Sequence, residues 1–160
     1  MSSGGLPAGE HWKVYLPAVL LSFVVMVPAI IAAERHGKMK PVYSAAVLLL
    51  VVVQAGLAFA SGSIWLLALW LVLFFIAFNI LEATQPSLIS RHAPPDKKGI
   101  ALGVYNTTQS AGLFLGGAVG GALVKWGGPA TVHAACIILG ALWLFLAISM
   151  KLPPAKPAAR

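Results

Sequence analysis

The residues best suited to chemistry lie in one run, FFIAFNILEATQPSLISRHAPPDKKG, residues 74–99. Asn79, Glu82 and Gln85 recur there at every third position, within a stretch otherwise as apolar as lipid. On a helix this spacing confines them to an arc of about 120°, a polar stripe on an oily rod. A charged group in hydrocarbon costs roughly 2.5–3.5 kcal/mol on insertion scales, so the stripe must face protein or water. A desolvated carboxylate takes up protons more readily, and three roles for Glu82 stand open. They are structural hydrogen bonding at a helix contact, a gate or proton relay, and direct contact with a cationic substrate. Counted from Ile64 at the helical rise, Glu82 lies about 27 Å along its span. That off-centre depth favours the first two roles. Pro86 follows at once, removing a backbone hydrogen bond and bending the end of the span.

A second polar set lies in KGIALGVYNTTQSAGLFLGGAVGGALVKWGG. Asn106 and Gln109 fall on the half that also carries Tyr105, Thr107, Thr108 and Ser110. Gly112, Gly116 and Gly120, with Gly117 and Gly121, form two ladders at four-residue spacing on the other half. Ladders of this kind let helix backbones approach closely, and close packing is their default role. Asn106 and Gln109 project near the ladders, either lining a cavity or hydrogen-bonding between helices at about 1 kcal/mol apiece. A third set, AAERHGKMKPVY, holds Glu34, Arg35, Gly37, Lys38 and Lys40 within seven residues. It reads as a tight turn latched by ion pairs, or as plain basic-loop charge with an incidental acid.

The elements that must position these groups follow from composition. Of 160 residues 59% are apolar and 9% charged, and the mean hydropathy is +0.90, which places the chain among membrane proteins. Apolar runs long enough to cross roughly 30 Å of hydrocarbon cover residues 14–33, 41–60, 64–89, 100–124 and 131–150. The expectation is an all-α polytopic bundle of five transmembrane helices spanning 14–150, with an outer tail at 1–13 and a Pro/Lys tail at 151–160. The second and fifth runs are apolar nearly all round and read as lipid-facing on most of their surface. The single cysteine, Cys136, excludes an internal disulfide and reads as a buried, inert thiol. His133 reads as an interfacial residue, as do Trp65, Trp70 and Trp126.

The formal net charge of +7 is explained by location. Nine of the eleven basic residues fall in 34–40, 91–98 and the tail from Lys151, all on one side of a five-span bundle, leaving Lys13 and Lys125 on the other. By the positive-inside rule that side, with the C-terminus, is cytoplasmic, and the N-terminus of the chain is periplasmic. No nucleic-acid partner is implied, because aromatic and basic residues do not interleave. No catalytic constellation, metal-ligand spacing or phosphate loop occurs, so neither an enzyme nor a cofactor is expected. Five spans would export a thirteen-residue tail without a leader, which points to preceding spans.

The pattern E-R-x-G-K-x-K at Glu34 to Lys40 resembles the second, degenerate copy of the cytoplasmic loop signature of the major facilitator superfamily. Ile30, Ala32 and Glu34 depart from its glycine, leucine and aspartate. More specific are FNILEATQPSLISRHAP and KGIALGVYNTTQSAGLFLGGAVGG, which are similar to the tenth and eleventh spans of its bacterial drug:proton antiporters. Asn79, Leu81, Glu82, Pro86, Ser87, Gly99, Gly103, Tyr105, Asn106, Gln109, Gly112, Gly116, Gly117, Gly120 and Gly121 carry that match. The resemblance covers nearly the whole chain and implies spans eight to twelve of a twelve-helix fold, the C-terminal half without its first span. It further implies alternating access around a central cavity, the proton as coupling ion, and a small amphiphilic substrate. The partners implied are the lipid bilayer of the bacterial inner membrane and the missing N-terminal helices. The competing expectation is a self-contained small membrane assembly or accessory protein without transport.

Overall fold

The computed structural model describes residues 12–59 and 64–151. They form five helices: α1 (Trp12–Glu34), α2 (Met39–Phe59), α3 (Ile64–His92), α4 (Lys98–Gly127) and α5 (Pro129–Ser149). The tails expected at 1–13 and 151–160 lie outside the described residues except for 12–13 and Lys151. Each apolar run of the sequence becomes one helix, and the connectors carry the turn chemistry. Gly37 and Gly128 adopt φ of 67° and 78°, the left-handed region that glycine enters freely. Gly128 alone separates α4 from α5, and Pro129 follows at the first helical position, where its missing N–H is not needed.

The short connectors make the chain run up and down. The C-terminal ends of α1, α3 and α5 and the N-terminal ends of α2 and α4 therefore share one end of the bundle, the basic end. α3 continues past the expected residue 89 and runs as helix through Pro86 to His92. Among the described residues four helices are long and apolar enough to cross a membrane: Leu16–Glu34 of α1, α2, α3 and α5. α4 differs from the five-span expectation. At 30 residues it has ample length, about 45 Å, but its polar block and its glycines dilute its apolar content.

The core joins α1, α2, α3 and α5 through Ala33, Met39, Tyr43, Val47, Ile80, Leu81, Leu88 and Ala147. α2, expected to be lipid-facing on most of its surface, buries Met39, Tyr43, Ala46, Val47 and Val53 on one arc and exposes Leu48, Val52 and Phe59 on the opposite one. Uniform apolarity hides such two-sidedness, because hydrocarbon side chains satisfy lipid and core equally. Close approach falls on glycines outside the ladders, Gly127 at the end of α4 against Thr131 among them. Gly56 lies under the Trp70 ring, with no room for a β carbon. A β carbon at Gly140 would lie 2.7 Å from Val51 Cγ2.

Polar pairs pin α5 to α2. Trp143 Nε1 donates to Tyr43 Oη at 3.0 Å with the rings edge to face at 6.3 Å. His133, expected at the interface, lies 3.3 Å from Gln54 Oε1 through Nδ1. Trp65 and Trp126 are exposed as membrane anchors would be, whereas Trp70 packs inward. Cys136 is half-exposed rather than buried.

Candidate functional site

The polar stripe of α3 divides between two neighbours. Asn79 Nδ2 donates to Ser22 Oγ on α1 at 2.7 Å, and that fully buried hydroxyl donates in turn to Val19 O at 2.6 Å. A buried hydroxyl that both accepts and donates is satisfied at the α1–α3 contact. Glu82 and Gln85 turn to α4. Gln109 Nε2 donates to both oxygens of Glu82, at 2.9 and 3.0 Å. One helical turn towards the basic end, Tyr105 Oη donates to Gln85 Oε1 at 2.7 Å. Residues 82 and 109, then 85 and 105, form two rungs of an antiparallel ladder that joins α3 to α4.

The surroundings of the rungs differ from those of the core. Glu82 and Gln109 are exposed, and Gln85 and Tyr105 are half-buried. The neighbouring hydroxyls are satisfied within α4. Thr107, Thr108 and Ser110 donate to the carbonyls of Gly103, Val104 and Asn106 at 3.0, 2.9 and 2.9 Å. Asn106 is exposed, and its carbonyl accepts the Ser110 bond. Gly112, Gly116, Gly117, Gly120 and Gly121 meet nothing within 4 Å of a built β carbon. Within the described residues the two glycine ladders therefore front open space.

The second carboxylate of the bundle, Glu34, sits at the basic end in a different setting. Ser87 Oγ donates to Glu34 Oε1 at 2.6 Å, and Arg91 Nη2 donates to Oε2 at 2.5 Å. Ser87 and Arg91 are four residues apart on α3, hence on one helix face. The sequence reading sought the partners of Glu34 within its own loop of Arg35, Gly37, Lys38 and Lys40, whereas its contacts run across helices, from the end of α1 to the end of α3. Arg35, Gly37 and Lys38 are exposed and Lys40 is half-buried, while Gly37 supplies the turn. The Lys38 amide closes that turn on Ala32 O at 3.2 Å.

Sequence reading missed Ser22, Ser87 and Arg91 as partners. Ser22 was visible as a lone hydroxyl within an apolar run, but its partner lies 57 residues away. Ser87 and Arg91 had the right spacing, yet nothing local ties them to Glu34. Among the described residues no three His, Cys, Asp or Glu side chains gather as metal ligands would.

The family model of the Major Facilitator Superfamily matches residues 12–160. The chain is 44% identical over 154 residues to the inner membrane transport protein YajR of Escherichia coli K12, covering 96% of this chain and 34% of that protein. It is 36% identical over 110 residues to a multi-drug resistance efflux pump PmrA homolog of Lactococcus lactis, covering 69% and 26%. It is 34% identical over 117 residues to the efflux pump PmrA of Streptococcus pneumoniae TIGR4, covering 73% and 28%. The chain thus spans about a third or less of the length of these relatives.

Proposed function

Because the chain belongs to the Major Facilitator Superfamily, we propose that it supplies spans eight to twelve of a proton-coupled exporter of small amphiphilic molecules, the remaining helices being supplied by about seven further spans. The observation that carries this reading is the contrast between the two carboxylates. Glu34 is held by a cation and a hydroxyl, whereas Glu82 is exposed and shares one neutral amide. A carboxylate without a fixed cation can bind a proton or a cationic group when its surroundings close over it. The Glu82–Gln109 rung lies on the side of the bundle that has no neighbour among the described residues, where other helices would enclose a cavity.

In this reading Asn79, Glu82, Gln85, Asn106 and Gln109 line the cavity or its gate. Glu34 with Arg91, beside Arg35, Gly37, Lys38 and Lys40, clamps the basic end. The glycine ladders of α4 receive a helix from the missing part. The basic end faces the cytoplasm of the bacterial inner membrane, as the clustering of basic residues favours. The names of the relatives, an inner membrane transport protein and multi-drug efflux pumps, support the reading of a membrane exporter but not its orientation.

The test is efflux of a fluorescent amphiphile from inverted vesicles carrying the full-length transporter, with and without Glu82→Gln. The variant is expected to lose the pH dependence of efflux while keeping its level in the membrane. Efflux with unchanged pH dependence would remove the proton role from Glu82. Co-expression of this chain with a seven-span partner, compared with the chain alone, tests whether the missing helices are needed.

A further inference from the structure

A pocket of about 410 Å³ opens at the basic end, among α2, α3, α4 and α5, beside the Gln85–Tyr105 rung. Its volume lies within the range of roughly 300–1,000 Å³ usual for small-molecule sites. Tyr43, Tyr105 and Trp143 form its aromatic walls, with Leu88 and Ile89 between them. The indole N–H of Trp143 and the hydroxyl of Tyr105 are engaged within the walls: Trp143 donates to Tyr43 Oη at 3.0 Å and Tyr105 to Gln85 Oε1 at 2.7 Å. What the walls present to an occupant is therefore mostly hydrocarbon. A phosphate or a sugar has little to bind inside it, and a hydrocarbon chain fits.

The mouth has the opposite chemistry. Lys40 precedes Tyr43 by three residues on α2, Lys98 precedes Tyr105 by seven on α4, and Lys151 follows the pocket residue Met150 after α5. In each case the lysine is nearer the basic end than the pocket residue, so three elements bring cations to one rim. His92, also in the lining, braces that rim, with Nδ1 2.9 Å from Leu88 O and Nε2 3.4 Å from Lys151 O. Acids offset these cations only in part, because Glu34 is taken by Arg91 and, among the described residues, Asp96 is the other acid at this end against Lys40, Lys98 and Lys151. We propose that the pocket holds an acyl chain of an anionic phospholipid from the adjoining leaflet, with its phosphate against Lys40, Lys98 and Lys151. Basic pockets between membrane helices select such headgroups by charge, and aromatic rings suit the level where chain meets headgroup.

Native mass spectrometry of the purified chain in detergent tests this, with phosphatidylglycerol and phosphatidylcholine of identical acyl chains as probes. The wild-type chain is expected to retain phosphatidylglycerol over phosphatidylcholine, by about fivefold for each lysine that contributes. The triple variant K40Q/K98Q/K151Q is expected to lose that preference, and Lys125→Gln at the opposite end to keep it. Ile89→Trp, which fills the pocket, is expected to lower retention of both lipids. Equal retention of the two lipids by the wild-type chain, or an undiminished preference in the triple variant, overturns the proposal. The lysine variant alters exposed or half-exposed side chains, so the test stands even where Ile89→Trp fails to fold. No transport is measured, so a negative result leaves the exporter reading untouched.

Discussion

The four helices α1, α2, α3 and α5 form a packed body, and α4 leans on its side without burying a single residue. The body is made from the most lipid-like parts of the sequence, while α4 carries the polar block and the glycine ladders. Sequence logic would assign the tight packing to α4. The structure instead puts close contact at Gly56 and Gly140 and leaves the ladder glycines in open space. Small residues make close packing possible, but only a neighbour makes it happen. Among the described residues α2, α3 and α5 have close neighbours, and the ladder face of α4 has none.

That contrast can be broken by substitution. The largest effect is expected from Gly56→Ala, whose added methyl would meet the Trp70 ring, at a cost of about 1–3 kcal/mol. It should appear as a lowered melting temperature of the purified chain in detergent, and an unchanged melt would show that Trp70 swings aside freely. Ser22→Ala strands the Asn79 amide between α1 and α3 and should cost about 1 kcal/mol in the same measurement.

Gly116→Ala should act in the opposite direction. Nothing stands near its β carbon, so the gain in helix propensity should leave the isolated chain equally stable or more stable by about 0.5–1 kcal/mol. In the full-length transporter the same change should lower efflux, if the missing helices close on that face. Stability lost in the isolated chain would mean that α4 packs differently. The smallest effect is expected from Arg91→Gln, since the Glu34–Arg91 pair is partly exposed, with side-chain accessibilities of 35% and 25%. A loss of about 0.2–1 kcal/mol, shrinking as salt is added, would match a screened ion pair.

Much of the site was legible because its signal is an exception to the rule around it. In a chain with 9% charged residues, an acid within an apolar run stands out, and Glu82 with its helical neighbours Asn79 and Gln85 was found on that ground alone. Their destinations were not legible. The stripe reads as one face, yet Asn79 turns to α1 while Glu82 and Gln85 turn to α4, because two helices flank α3 on that side. Glu34 was found too, but its cation was sought among adjacent lysines and came from Arg91, 57 residues on.

The number of helices, their order and their up-and-down course were determined by the sequence by itself, since apolar length and turn residues act locally. The gathering of basic residues at one end follows from the same count. Which face of an all-apolar helix such as α2 turns inward was decided only by the tertiary structure. So were the glycines that touch a neighbour and the carboxylate that gains a fixed cation. Burial and pairing depend on which surfaces meet, and hydrophobicity along a chain carries no record of that.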